Sequence, residues 1–271
     1  MTATAATIDL TAEPTVRVRA VVAYDGAGFH GFATHPAVRT VGGTIAATLA
    51  KVWRVPAMEI TCAGRTDAGV HGWGQVISFD LPVSALERKD LPKVQRAVNK
   101  LLEQEIVVRS VELADPMFDA RHAARARRYR YTIVNRPWPD PFLARTAWHV
   151  PEPLDLRAMR HGCLPFIGAH DFTSFCRRPK RDLRPGETEI SLTRRVRSLE
   201  WEEAGDGILH LWIEANAFCH QMVRSITGTL VEVGRGRLRA GDMRSMLAAR
   251  DRRVVAVLAP PQGLCLWSVD Y

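Results

Sequence analysis

The stretch "CAGRTDAGVHGWGQV", residues 62–76, sets one aspartate, Asp67, between Arg65 and a run of glycines, then passes into a strand. Turns use glycine because it reaches positive φ without a side-chain clash, and aspartate because its carboxylate bonds nearby backbone N–H groups. Neither reason puts an arginine in the same loop. An arginine nearby favours the charged form of a carboxylate, and a carboxylate can act as a covalent nucleophile toward a sugar carbon or an activated ring. Ala68 and Gly69 leave room beside it for a large substrate. On its own residues, Asp67 is either a turn residue or a reagent.

The strand "GQVISFD" (74–80) continues from this loop, and "VRVRAVVAYDG" (16–26) is an earlier, valine-rich strand ending at Asp25-Gly26. Helical spacing of Ile45, Leu49, Val52 and Trp53 predicts a helix over 41–53, weakened at its start by Gly42 and Gly43. "SALERKDLPKVQRAVNKLL" (84–102) predicts one helix, with Ser84 and Glu87 as a capping box and Pro92 near a helix start. "EIVVRSVEL" (105–113) closes a first α/β half. A second series begins at "RRYRYTIVN" (127–135). It continues through a helix over 154–168 broken near Pro165 and a hairpin of 193–203 and 207–216 about Gly205-Asp206-Gly207. A helix over 217–234, with Phe218, Met222, Ile226, Leu230 and Val233 on one face, precedes a short helix at 242–250 and a last strand at 264–271. Irregular alternation with a hairpin favours α+β with a largely antiparallel sheet over a doubly wound parallel one. The expected organisation is a flexible leader (1–14) and two βαβ-rich halves, 15–120 and 121–271, sharing one sheet.

Lys+Arg exceeds Asp+Glu by 37 to 29 in 271 residues, a net charge of +8. That balance favours an acidic partner, nucleic acid before an anionic membrane surface. The five cysteines, Cys62, Cys163, Cys176, Cys219 and Cys265, are odd in number, scattered and without a CxxC. Neither a disulfide framework nor a zinc site is expected, and a reducing cytoplasm fits. No signal-peptide pattern opens the sequence, and no window approaches the roughly 20 apolar residues of a membrane span. "GRTDAG" (64–69) has P-loop spacing but continues into Val70-His71, where Lys and Ser/Thr are needed, and Asp67 would repel phosphate. "GAGFHG" (26–31) has dinucleotide-site spacing, but no helix opens on it and no acidic residue follows for a ribose. Asp67 and His71, with His30 and His35 nearby, could hold a metal only on a helix, and the glycines argue against one.

The basic residues are clustered. "ARHAARARRYRY" (120–131) places Arg121, Arg125, Arg127, Arg128 and Arg130 around Tyr129 and Tyr131. Arg177, Arg178, Lys180, Arg181 and Arg184 form a second cluster, with Arg194, Arg195 and Arg197 beyond it. Guanidinium groups bind phosphate bidentately and stack on bases, and tyrosines stack on unpaired bases. A solvated charged face is the plainer reading. Two arginine-dense segments favour RNA or DNA binding.

With these residues in view, "CAGRTDAGVHGWGQV" resembles the signature of the tRNA pseudouridine synthase A family. The resemblance runs from about Tyr24 to Tyr271 through "YDGAGFHGF" (24–32), "FDARHAARARRYRY" (118–131), "GAHDFTSF" (168–175), "NAFCHQMVRSITGTLVEVGRG" (216–236) and "GLCLWSVDY" (263–271), in family order. It implies two ferredoxin-like (RRM-like) halves about a shared sheet, a homodimer that clamps tRNA, no cofactor and no metal. The implied activity is isomerisation of uridine to pseudouridine, typically at tRNA positions 38 to 40. By position, Asp67 matches the catalytic aspartate and Arg65 the arginine that extrudes the base and fills its place. Tyr129 matches the tyrosine that packs on the flipped base and assists proton removal from C5. Arg224 matches the basic partner of the catalytic carboxylate, and Leu264 the apolar residue on the far side of the base. The chain departs from the family pattern at Phe32, Ala33, Thr34 and Gly42, and in "AVNKLL" (97–102). These departures are expected toward the RNA, away from Asp67. The runner-up is a non-catalytic RNA-binding or folding factor on the same scaffold, which would have no need to keep Asp67, Arg65, Tyr129 and Arg224 together. A nucleoside hydrolase would want a second carboxylate, and none is obvious in 62–76.

Overall fold

The computed structural model describes residues 13–88, 90–178 and 191–271. Strand β3 (His71–Pro82) leaves the 62–76 loop and organises the first half. It pairs antiparallel with β1 (Thr15–Tyr24), whose other edge takes β4 (Ile106–Leu113), and the short β2 (Thr61–Cys62) also lies on β3. The second half is built on β5 (Ala126–Val134), followed outward by β9 (Ile208–Ala215), β8 (Thr193–Gly205) and β7 (Gly168–Asp171), all antiparallel. The final strand β10 (Leu264–Asp270) lies between the halves, parallel to β3 and antiparallel to β5. With β6 (Trp148–His149) beside β5, the result is one 10-stranded sheet in the order β4-β1-β3-β10-β5-β9-β8-β7. This is the α+β, largely antiparallel architecture expected from sequence. The seam is the chain's last strand, so the sheet does not divide where the sequence does. Gly74 permits the seam, because a Cβ there would collide with the Trp267 carbonyl on β10.

Alternation sorts each strand into a helix-covered face and an outer face. Val18, Ala20 and Val22 of β1 join Ile77, Phe79 and Leu81 of β3 under α1 (Val41–Trp53) and α3 (Leu91–Leu102). Tyr129, Tyr131 and Ile133 of β5 and Leu209, Leu211 and Ile213 of β9 pack with α4 (Leu156–Cys163), α5 (Met222–Gly234) and α6 (Asp242–Ala249). Each fully buried aliphatic side chain contributes about 2 kcal/mol.

Two helices differ from expectation. The segment read as one helix over 84–102 is α2 (Val83–Arg88) followed by α3, because the Asp90 carboxylate accepts from Lys93 N at 2.8 Å and Pro92 sits in the first turn. Ser84 lies inside the first turn of α2 rather than at its cap, and its N–H donates to the Glu13 carboxylate at 3.0 Å. The helix expected from 217 begins at Met222, because Gln221 takes a left-handed conformation at φ 64°. Residues 216–221 are thereby released as a loop. Among the described residues, no helix is long and apolar enough to cross a membrane. Lys180, Arg181 and Arg184 lie outside the described residues, as does most of the 1–14 leader.

Candidate active site

The loop joining β2 to β3 carries Asp67 and is tied down at both ends. Gln75, fully buried on β3, accepts from Gly64 N at 3.3 Å and donates to Gly64 O at 2.6 Å. Thr66 shares a hydrogen bond of 2.8 Å with the Tyr24 hydroxyl, and its carbonyl accepts from Phe32 N at 3.1 Å. His71 is held by its neighbours, accepting from Gly26 N at 3.0 Å and donating to Arg145 O at 2.9 Å. Phe32 therefore backs the loop that carries Asp67, with Gly42 behind it, which corrects the expectation that these departures lie away from Asp67. Phe32 is buried against Tyr24 at a centroid distance of 5.9 Å. Gly42 N donates to Phe32 O at 2.8 Å, and a Cβ on Gly42 would approach that carbonyl to 2.6 Å. The two departures form one packing unit.

Asp67 meets the second half of the chain across the cavity. Its Oδ2 lies 3.4 Å from Arg224 Nη1 and its Oδ1 lies 3.3 Å from His220 Nε2. Every residue of α5 except Arg224 is buried. The buried hydroxyls of Ser225, Thr227 and Thr229 donate back to the carbonyls four residues earlier, so the apolar surroundings leave them satisfied. Arg224 turns out toward the loop, anchored by Nε donating to Ala259 O at 2.8 Å. The loop 216–221 is pinned separately. Arg177 N donates to His220 O at 2.9 Å, and Cys219 is joined to Cys176 in a disulfide with a Cα–Cα distance of 5.7 Å. That bridge departs from the expectation drawn from the scattered cysteines, since its members are 43 residues apart in sequence and meet only in the fold.

A cavity of about 590 Å³ opens here, within the size range of small-molecule sites. Asp67, Arg65, Tyr129, Arg224 and Leu264 all line it, so the five positions singled out around Asp67 converge. Arg65 is exposed at its edge, while Tyr129 and Leu264 are 7% and 6% exposed and form its floor. Tyr129 meets Phe218 edge-on at 5.0 Å. Burial, and then the charge of Asp67, pushes the Tyr129 phenol well above its usual range. It is therefore an uncharged hydroxyl at neutral pH, suited to packing and to donating a hydrogen bond.

The arginines separate. Arg121 is exposed and lines the cavity. Arg125 is exposed and contributes its backbone to the structure, accepting from Arg197 Nη2 at 3.0 Å. Arg127 is 8% exposed and gives its N–H groups to the carbonyls of Ala63, Arg121, Ala124 and Asn216. A guanidinium so engaged ties backbone together and has no fork left for phosphate, which corrects its place among the RNA contacts. Arg128 points to the opposite face of the sheet, 4.5 Å over the Trp212 ring and 3.8 Å from Glu200. It too is removed from the cavity. Arg177 and Arg178 are exposed at the end of the described segment.

Sequence reading missed His220 and misplaced Phe218, both of which line the cavity, as does Arg194 from the basic residues beyond the second cluster. Phe218 was assigned to the apolar face of a helix that starts four residues later. The block "NAFCHQMVR" holds the one clue, a histidine four residues before Arg224.

A family model described as tRNA pseudouridine synthase matches residues 163–271. The tRNA pseudouridine synthase A of Geobacillus sp. (strain WCH70) is 37% identical over 257 residues, covering 94% of this chain and 98% of its own. That of Listeria monocytogenes serotype 4b (strain CLIP80459) is 38% identical over 257 residues, covering 94% and 99%. Among solved structures, a chain of a Cbf5-Nop10-Gar1 complex aligns over 79% of this chain and 45% of its own at 15% identity, with a TM-score of 0.34.

Proposed function

This chain belongs to the tRNA pseudouridine synthase A family, an RNA-modifying isomerase family, and we propose that it converts uridine to pseudouridine in the anticodon arm of tRNA, at positions 38 to 40, with Asp67 as nucleophile. The observation that carries the mechanism is the placement of Asp67. Its two carboxylate oxygens face Arg224 and His220 at 3.4 and 3.3 Å, in a cavity of about 590 Å³ with an exposed arginine at its mouth.

Reaching a uridine inside a stem or stacked loop requires flipping it out, at about a few kcal/mol of unstacking. Arg65, exposed at the cavity edge, fills the vacated space. The flipped base lies on Tyr129, with Leu264 on its other side. Asp67 attacks either C1′ of the ribose or the uracil ring. The C1′–N1 bond breaks, the base turns, C1′ bonds to C5 and the Asp67 adduct is released as free carboxylate; C5 then loses its proton and N1 gains one. Arg224 holds the carboxylate in position, and its removal would leave Asp67 with one cation fewer. The exposed Arg121, Arg125, Arg177 and Arg178 are read as phosphate contacts. The protein is further read as a cytoplasmic homodimer of two ferredoxin-like halves, 15–120 and 121–271, working without cofactor or metal.

The test is pseudouridine mapping on unmodified tRNA transcripts incubated with the wild-type protein and with Asp67→Ala, without added metal or nucleotide. The expected result is new pseudouridine in the anticodon arm with the wild type alone. Product elsewhere would move the target but keep the chemistry. Tight tRNA binding without product would make the protein a non-catalytic RNA-binding factor.

A further inference from the structure

Isomerising uridine needs no thiol, yet a disulfide sits in the wall of the cavity. Cys219 lines it, between Phe218 and His220, and is half-buried. Its partner Cys176 lies behind, 1% exposed. Their Cα–Cα distance of 5.7 Å falls in the middle of the range that a bridge spans. The other three cysteines are placed differently. Burial pushes the thiols of Cys62 and Cys265 up to about 11 and that of Cys163 up to about 12. They stay protonated at neutral pH, and a protonated thiol is a poor partner in exchange. Thiol chemistry is thereby confined to one pair.

The bridge holds a loop that shapes the site. Residues 216–221 carry Phe218, edge-on to Tyr129 at 5.0 Å, and His220, 3.3 Å from Asp67. Hydrogen bonds also hold this loop, from Arg177 N to His220 O at 2.9 Å and from Arg127 Nη1 to Asn216 O at 2.8 Å. Hydrogen bonds in a loop open and close locally. A covalent link does not, so the bridge decides how far Phe218 and His220 can stray.

We propose that Cys176 and Cys219 form a reversible dithiol–disulfide site, closed in the faster form of the protein and opened by a small thiol that enters through the substrate cavity. The thiolate of such a compound attacks Cys219 Sγ, the Sγ–Sγ bond breaks, and Cys176 leaves as a thiolate that takes up a proton. A second molecule of the thiol attacks the mixed disulfide, and Cys219 leaves and is protonated in turn. The two small thiols depart joined as a disulfide, having given the pair two electrons and two protons. The reverse sequence, with a small disulfide as oxidant, closes the bridge again. Attack falls on Cys219 because the cavity reaches it, whereas Cys176 is buried. Uridine and thiol share one opening, so bound tRNA shields the bridge. In a reducing compartment bridges are typically transient and redox-sensing rather than structural, which agrees with the cytoplasmic reading.

The effect on turnover rests on the isomerase reading, and the experiment separates the two. The full chain is equilibrated in buffers of reduced and oxidised glutathione, quenched with acid, and its thiols are counted under denaturing conditions with a maleimide. The count should pass from five to three in one two-electron step. Cys176→Ser and Cys219→Ser should show no such step. Reduction of the wild type by dithiothreitol should slow about tenfold when tRNA is present at about ten times its Kd. In single turnover on saturating tRNA transcript, the bridged protein should form pseudouridine about tenfold faster than the reduced protein, because the loop is held in place. Both serine variants should match the reduced wild type and ignore dithiothreitol. Five thiols in every buffer would overturn the proposal, as would equal rates for bridged and reduced wild type. Reduction that tRNA does not slow would overturn the shared opening. No pseudouridine in either state would overturn the isomerase reading, while the thiol counts and the tRNA protection would still decide whether the pair exchanges through the cavity.

Discussion

The two faces of strand β5 carry the same residue type in opposite roles. On the inner face, Arg127 is buried and binds the carbonyls of Ala63 and Asn216 as well as those of Arg121 and Ala124. Ala63 opens the loop that carries Asp67, and Asn216 opens the loop that carries His220, so this one guanidinium joins the two loops that meet at the carboxylate. On the outer face, Arg128 and Arg130 lie over indole rings, 4.5 Å from the Trp212 centroid and 4.1 Å from that of Trp267. Arg109 does the same over Trp73 at 4.3 Å, and Trp73 stacks on Trp267 at 5.9 Å. A basic run along a strand is therefore not a basic patch. Alternation divides it: the inner part is engaged with carbonyls and the outer part lies over indole rings.

If chemistry belongs to the inner face, its loss should be confined there. Asp67→Asn is expected to lower turnover by at least about 10³-fold, in line with removal of a nucleophile. Its tRNA affinity should stay near that of the wild type. Arg128→Met on the outer face should leave turnover within about threefold, since cation–π contacts at exposed sites contribute only about 0.5–1 kcal/mol. Comparable losses in single-turnover assays of the two variants would erase the distinction. The stability contrast runs along neighbouring residues. Arg127→Met leaves four carbonyls without their donor, and at about 1 kcal/mol or more each the cost is roughly 4 kcal/mol. For a chain of this size that lowers Tm by roughly 8–16 °C. Arg128→Met loses a stacking contact and a partly exposed ion pair, together about 1 kcal/mol. Similar melting shifts for the two would show that Arg127 is not the joint between the loops.

That division was partly visible beforehand. Arg127 shares the parity of Tyr129 and Tyr131 along the strand, so alternation puts it on the same face as those two. The strands and most helices were legible because their signals are local: alternating valines at 16–22, helical spacing at 45–53, a glycine-flanked turn at 205–207. What was hidden depends on distant contacts or rare backbone. Nothing in "GLCLWSVDY" announces that β10 inserts beside β3. A left-handed glutamine at 221 leaves no mark in composition, so the loop bearing His220 was read as helix. The union of Cys176 with Cys219 is likewise a product of the fold. Asp67, Arg65, Tyr129, Arg224 and Leu264 were found because they lie in motif blocks, while His220 lies in one of the same blocks and was passed over.

The inner-face tyrosines extend the contrast to pH. Burial pushes the phenols of Tyr129 and Tyr131 well above their usual range, and Tyr131 donates to Pro260 O at 2.8 Å. A folded-state pKa raised above the unfolded value means that the native state holds its protons longer. The associated stability is complete below about pH 10, the unfolded tyrosine value. It is lost as pH rises above that, by about 1.4 kcal/mol per pH unit for each such group. Denaturant midpoints should therefore fall on the alkaline side, and Tyr131→Phe should make the fall shallower by one group. An unchanged slope in that variant would mean that Tyr131 ionises as freely in the native state as in the unfolded chain.

The smallest effect decides which face meets RNA. Arg121 is exposed and lines the cavity, whereas Arg128 is stacked on the far side of the sheet. Each phosphate contact contributes about 0.7–0.9 to the slope of log K against log salt, and about 1 kcal/mol or less to affinity at moderate salt. Arg121→Ala should lower that slope by about one contact and weaken tRNA binding a few-fold. Arg128→Ala should leave both unchanged. The double variant should match Arg121→Ala alone, because residues on opposite faces share no phosphate. A slope reduced by Arg128→Ala would require the outer face to touch tRNA, and Trp212 and Trp267 would then have to be counted with the RNA-binding surface rather than with the scaffold.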